Sequence, residues 1–171
     1  MDTITFDKLL LNTAFCCMAC DGNIDPKEIE LIKSMCSNSP LFVAYNFGDE
    51  INSLVTQLNI RGKEFINNYF ELLKATSLTE DEELILIDFA IKTINADEKI
   101  EYSEIKFFKV IRHHLKLSDE TILSKYPDIE YWLEQDIITE NYLDKIKSQY
   151  LEIVELPQFE MIKLSDNATF D

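Results

Sequence analysis

Residues 19–30 read ACDGNIDPKEIE, four carboxylates grouped about one glycine and one proline. Such a stretch can be a metal loop, an acid/base site or the bend between two helices. Its second half has the order of a helix start. Asp25 stands at the N-cap, Pro26 at the first helical position and Glu28 three residues after the cap. That spacing lets Asp25 accept a backbone N–H of the first turn while Glu28 reaches back to the cap's own N–H. Ile29, Ile32 and Met35 then carry an apolar face to about Cys36, where SNSP (37–40) ends the helix, because Pro40 disfavours helical backbone before it. On the other side, residues 4–20 place Ile4, Leu9, Leu10, Leu11, Phe15 and Met18 on a first helix. The stretch is therefore expected to be a bend joining two helices, with Ile24 leaving water beneath it.

The same arrangement recurs. An offset of 76 residues carries Asp21 onto Asp97, Ile24 onto Ile100, Asp25 onto Glu101, Glu28 onto Glu104 and Ile29 onto Ile105. Upstream it carries Leu10 onto Leu86, Leu11 onto Ile87 and Ala14 onto Ala90. Internal self-similarity of this kind points to a duplicated structural unit, here helix, acidic bend, helix.

Helix signals fill the rest. A segment is expected over roughly 48–59, and GKEFINNYFELLKA (62–75) has a broad apolar face. In SLTEDEELILIDFAIKTI (77–94), Thr79 and Glu82 make a second capping pair, and four acids fill the first turn, where the helix dipole favours them. Further helices are expected over 102–116, after a Ser118 cap, and in IEYWLEQ (129–135) and TENYLDKIKSQYLEI (139–153). QFEMIKL (158–164), after Pro157, has the alternation of a short extended segment, or of disorder. The expected fold is all-α: a single-domain bundle of seven to nine helices built from two pseudo-repeated hairpins. Residues 1–117 form its two halves, and 118–171 an acidic helical extension.

Composition narrows the function. The 171 residues suit one domain, and 46% apolar residues with 11% aromatic describe a globular chain. With 32 acidic against 16 basic residues the net charge is −16, the wrong sign for phosphate-backbone contacts or an anionic bilayer surface. From Ser118 onward there are 13 acidic and four basic residues, a balance of −9 that marks this part as the partner-facing one. LLLNTAFCCMA (9–19) is too short to span a bilayer and follows Asp2 and Asp7 rather than a basic leader, so the chain is expected to be cytoplasmic, with no membrane insertion. Cys16, Cys17, Cys20 and Cys36 are expected as free, buried thiols. The only histidines, His113 and His114, are adjacent and supply no zinc-ligand spacing.

Calcium is the nearest metal reading. With Gly22 at the sixth loop position of an EF-hand, Asp21, Asp25 and Glu28 fall on the fifth, ninth and twelfth. Cys17 and Ala19, at the first and third, offer no hard oxygen, and Glu98 replaces the glycine in the second copy. What remains is a weak, shared site for Ca²⁺ or Mg²⁺, its candidate ligands Asp21, Asp25, Asp97 and Glu101. No G-x-S-x-G, P-loop or dinucleotide glycine pattern is present, and nothing brings Cys20 and His113 together as a nucleophile and base. A non-enzymatic role is therefore expected. Two alternatives stay open: an acidic mimic of nucleic acid that inhibits a DNA-binding protein, and a small metal-dependent hydrolase.

MACDGNIDPKEIELI (18–32), INADEKIEYSEIKFFKVI (94–111) and the apolar helix before each resemble the TerB-like tellurite-resistance family, whose first half carries an A-D-G-x-I-x-x-x-E bend. The resemblance covers about residues 5–117. Cys20 stands where that family often has Ala, and Glu98 where it commonly has Gly. The resemblance implies an all-helical domain of two related halves. It also implies a cytoplasmic stress-response role among protein partners, in complexes at the inner face of a membrane, and divalent-cation binding at Asp21, Asp25 and Glu28 and at Asp97, Glu101 and Glu104.

Overall fold

The computed structural model describes residues 4–20, 22–42, 46–96, 100, 102–133 and 156–162. Among them the chain is all-α, with eight α-helices and no strand. In chain order these are α1 (Phe6–Ala19), α2 (Pro26–Ser37), α3 (Phe47–Arg61), α4 (Lys63–Ala75), α5 (Glu80–Ile94), α6 (Tyr102–His113), α7 (Asp119–Lys125) and α8 (Glu130–Leu133). Single 3₁₀ turns at Pro40–Phe42 and Pro127–Ile129 precede α3 and α8.

The cap residues act as their types dictate. Asp25 and Thr79 make full capping boxes with Glu28 and Glu82, and Asn46 and Ser118 accept from the third residue of α3 and α7. α1 is the central rod. Ten of its 14 residues are buried, as expected of a helix apolar nearly all round. It packs most extensively on α5, and also touches α2, α3, α4 and α6. Its one buried hydroxyl, on Thr13, donates to the Leu9 carbonyl at 2.8 Å and lies 2.7 Å from the Tyr69 hydroxyl, so neither polar group is buried unpaired.

The duplicated pattern appears as packing. Leu10 and Leu86, Leu11 and Ile87, and Ala14 and Ala90 are all buried in one core. Ile24 and Ile100 are half-buried and pack against that core beneath their bends. Truncating a partly buried isoleucine removes apolar contact that water does not replace. Ile24→Ala and Ile100→Ala should each lower stability by about 1–2 kcal/mol, read as a shifted urea midpoint at unchanged slope. An unshifted midpoint for both would show that these residues do not pin the bends.

Two expectations need correcting. α6 ends at His113 rather than at 116. Its last turn tightens: the His114 and Leu115 N–H groups bond three residues back, to Ile111 and Arg112. The next two N–H groups, of Lys116 and Leu117, then turn away to the Glu83 carboxylate. α3 runs two residues further than expected and is joined to α4 by Gly62 alone, at φ +57°. No atom lies within 4 Å of where a Cβ would sit there, so the left-handed backbone, not space, calls for glycine.

α7, the second 3₁₀ turn and α8 join the same core through Ile122, Ile129 and Trp132 respectively, with Trp132 edge-on to Phe108 at a centroid distance of 5.2 Å. Arg112 holds Asp119 through Nε (2.9 Å) and Nη2 (2.7 Å), and the Tyr126 hydroxyl donates to Asp88. The helix expected at 129–135 is described as far as Leu133, and the one expected at 139–153 lies outside the described residues. Beyond Pro157 the chain is extended as far as it is described, to Ile162.

Candidate functional site

The acidic bends place one glutamate each inside the protein. Glu28 is 2% exposed and Glu104 1%. In the first bend Gly22 turns the chain at φ +83°, its N–H donating to the Ala19 carbonyl at 3.0 Å. The Asp25 N–H then donates to Glu28 Oε2 at 3.0 Å, while Asp25 Oδ1 accepts the Lys27 N–H at 2.7 Å. These carboxylates are thus occupied as fasteners of the start of α2.

The two buried glutamates act on one group. Burial pushes the Cys17 thiol well above its usual range, and the electrostatic influence of neighbouring Cys16 and of Glu104 and Glu28 pushes it further. Residues 76 positions apart, one from each bend, therefore act on a single sulfur near the end of α1. The starts of α2 and α6 thus face the same end of α1, where burial strengthens every charge. The thiol responds by staying protonated. Cys16 is raised by burial in the same way, and Cys36 to about 12. A protonated thiol is a poor nucleophile, and these buried sulfurs pack as small apolar groups. All four cysteines are free and buried.

Of the six candidate ligands, Asp25, Glu28 and Glu104 are described, whereas Asp21, Asp97 and Glu101 lie outside the described residues. Among the described residues no group of three or more His, Cys, Asp or Glu side chains is placed to hold a metal ion. The candidate donors are all carboxylates, which suit hard, oxygen-seeking cations such as Ca²⁺ or Mg²⁺.

Separate from the bends, a cavity of about 370 Å³ opens between α1, α3 and α4. Leu11, Leu54 and Phe65 line it together with the charged Lys8, Glu50 and Arg61. None of the described acidic-bend residues lines it. Sequence reading missed this cavity because its lining is scattered over three helices with no motif. It also missed the roles of Glu83 on α5 and of Asn52 and Asn59 on α3. No helix among the described residues is long and apolar enough to cross a membrane.

No family model, curated protein or solved structure matches the chain.

Proposed function

We propose that the chain is a TerB-like, non-enzymatic protein-interaction module of a cytoplasmic stress response, binding a divalent cation weakly at its paired acidic bends. One observation carries this reading. Glu28 and Glu104, equivalent positions of the two repeats, are both buried and both act on Cys17, which supports a reading in which the starts of α2 and α6 share one end of the molecule. The resemblance rests on those same bends.

Like charges gathered at one end repel, and a cation shared between the bends relieves that repulsion. Asp21, Asp25, Asp97 and Glu101 are the carboxylates assigned to it, while Glu28 caps the start of α2. The partners are proteins, and the acidic residues after Ser118 supply part of the contact.

Isothermal calorimetry tests the cation. Ca²⁺ or Mg²⁺ should bind with a dissociation constant of about 10⁻⁴–10⁻³ M, the range of weak oxygen-ligand sites. Asp25→Asn combined with Asp97→Asn should abolish the heat. A flat titration of the unaltered chain at several millimolar Ca²⁺, Mg²⁺ and Mn²⁺ would remove the cation from the proposal.

A further inference from the structure

Residues 156–162 lie along α3 in extended form, and two asparagines hold them by the backbone alone. Asn59 donates from Nδ2 to the Phe159 carbonyl at 2.8 Å, and its Oδ1 accepts the Phe159 N–H at 2.8 Å. Asn52 treats Ile162 in the same way, donating to its carbonyl at 3.2 Å and accepting its N–H at 2.8 Å. Each side-chain amide satisfies both backbone groups of one residue, as a neighbouring strand does at a hydrogen-bonded pair in an antiparallel sheet. Gln158 Nε2 adds a bond to the Asn59 carbonyl at 3.2 Å.

The register matches between helix and segment. Asn52 and Asn59 are seven residues apart, two turns of helix, so they stand ~10.5 Å apart along its axis. Their targets are three residues apart in an extended chain, ~9–10 Å. The segment runs antiparallel to α3, with the later residue on the earlier asparagine. Leu156, Phe159 and Ile162 pack against the core, whereas Pro157, Gln158, Glu160 and Met161 are exposed. That three-residue period belongs to a polyproline-II-like chain, which has no internal hydrogen bonds and leaves its peptide groups free to be captured. Pro157 at the start favours such backbone.

A site of this kind asks little of its ligand. It needs N–H groups at two positions three apart, which excludes proline there, and apolar side chains at those positions. The residues between them face water. α3 divides its surface accordingly: Phe47, Ile51, Val55 and Leu58 face the core, Glu50, Ser53, Gln57 and Arg61 face the cavity, and Asn52, Thr56 and Asn59 face the segment.

We infer that the Asn52–Asn59 face of α3 is a binding site for extended peptides of the pattern Φ-x-x-Φ (Φ apolar), that residues 156–162 are its resident ligand within the chain, and that its external ligand is a partner-protein segment of the same pattern. The chain's charge of −16 selects among such segments, favouring neutral or basic residues at the exposed x positions. Tethering gives the resident segment a high effective concentration, so the site is guarded until a better ligand arrives. The inference stands apart from the cation and from the resemblance, since it rests on α3 and the segment alone.

Fluorescence anisotropy with the full-length chain tests it, the probe being a labelled peptide of residues 155–163. Phe159→Pro with Ile162→Pro removes both captured N–H groups from the resident segment without touching α3. This variant should bind the probe at least tenfold more tightly than the unaltered chain. Glu160→Lys in the probe should strengthen binding further, and Asn52→Ala with Asn59→Ala in the double-proline background should lose it at least tenfold. Equal binding by the double-proline variant and the unaltered chain, or binding that survives loss of both asparagines, overturns the site.

Hydrogen exchange on the unaltered chain decides the matter should the proline variant lose its helical circular dichroism. Millimolar peptide should then speed exchange of the Phe159 and Ile162 amides while the helices stay protected; unchanged exchange overturns the inference. A dimer formed by mutual exchange of the segment would make a second copy the occupant and overturn the partner assignment.

Discussion

Glu83→Ala should be among the most destabilising single substitutions in this protein, lowering stability by about 3–5 kcal/mol. Glu83 lies in the first turn of α5, only 4% exposed, and its carboxylate takes two backbone donors from the α6–α7 junction. Lys116 N–H approaches both oxygens, at 3.1 and 2.9 Å, and Leu117 N–H lies 2.9 Å from Oε2. Hydrogen bonds to a charged acceptor contribute about 1.5–3 kcal/mol each, and a buried donor left without its partner costs about 1–3 kcal/mol. Leu117 is itself buried, so water does not replace the lost acceptor at that site. Urea unfolding measures the loss. Glu83→Gln keeps one acceptor oxygen and should recover roughly half of it. Conversely, a loss under about 1 kcal/mol for the alanine variant would mean that the junction holds without this anchor.

Alkaline pH should unfold the protein steeply. Cys16, Cys17 and Cys36 all have thiols raised well above the usual range by burial, Cys36 to about 12. An unfolded thiol ionises near 8.5. Below that value the thiols are protonated in both states and their contribution to stability is fully present. Above it the unfolded chain releases protons that the native chain retains, so stability falls as pH rises. Each such thiol contributes about 1.4 kcal/mol per pH unit. Three together give about 4 kcal/mol per unit, or about 8 kcal/mol between roughly pH 9.5 and 11.5, comparable with a typical domain's whole stability of about 5–15 kcal/mol. Denaturant melts in reducing buffer, repeated across this range, give the slope directly. Cys36→Ala should lower the slope by about 1.4 kcal/mol per pH unit, whatever its effect on absolute stability at pH 7. A slope that does not respond to cysteine removal would refute the burial of these thiols. Tyr69, also raised by burial, steepens the fall further above about pH 10.

Both effects come from groups whose chemistry was visible in the chain but whose surroundings were not. Helix starts depend on bonds within four residues, so Asp25 with Glu28 and Thr79 with Glu82 could be read from spacing alone, and both capping boxes are present. Apolar periodicity and the 76-residue repeat likewise foretold the all-α bundle and the core pairs of α1 and α5, since burying an apolar face is a demand that a helix carries in its own order. Glu83, by contrast, read as one of four acids favoured by a helix dipole. Its partners are 33 and 34 residues away, and only packing reveals that it alone of the four is buried. Phe159 and Met161 alternated as if along a strand. The structure instead packs Phe159 and Ile162 and leaves Met161 55% exposed, because Asn59 and Asn52 capture the backbone at three-residue intervals. Local bonding and hydrophobic order are written along the chain. Which carboxylate loses its water, which thiol feels two buried glutamates and which amide meets a segment a hundred residues on are settled by the approach of distant elements, and no short-range pattern encodes that approach.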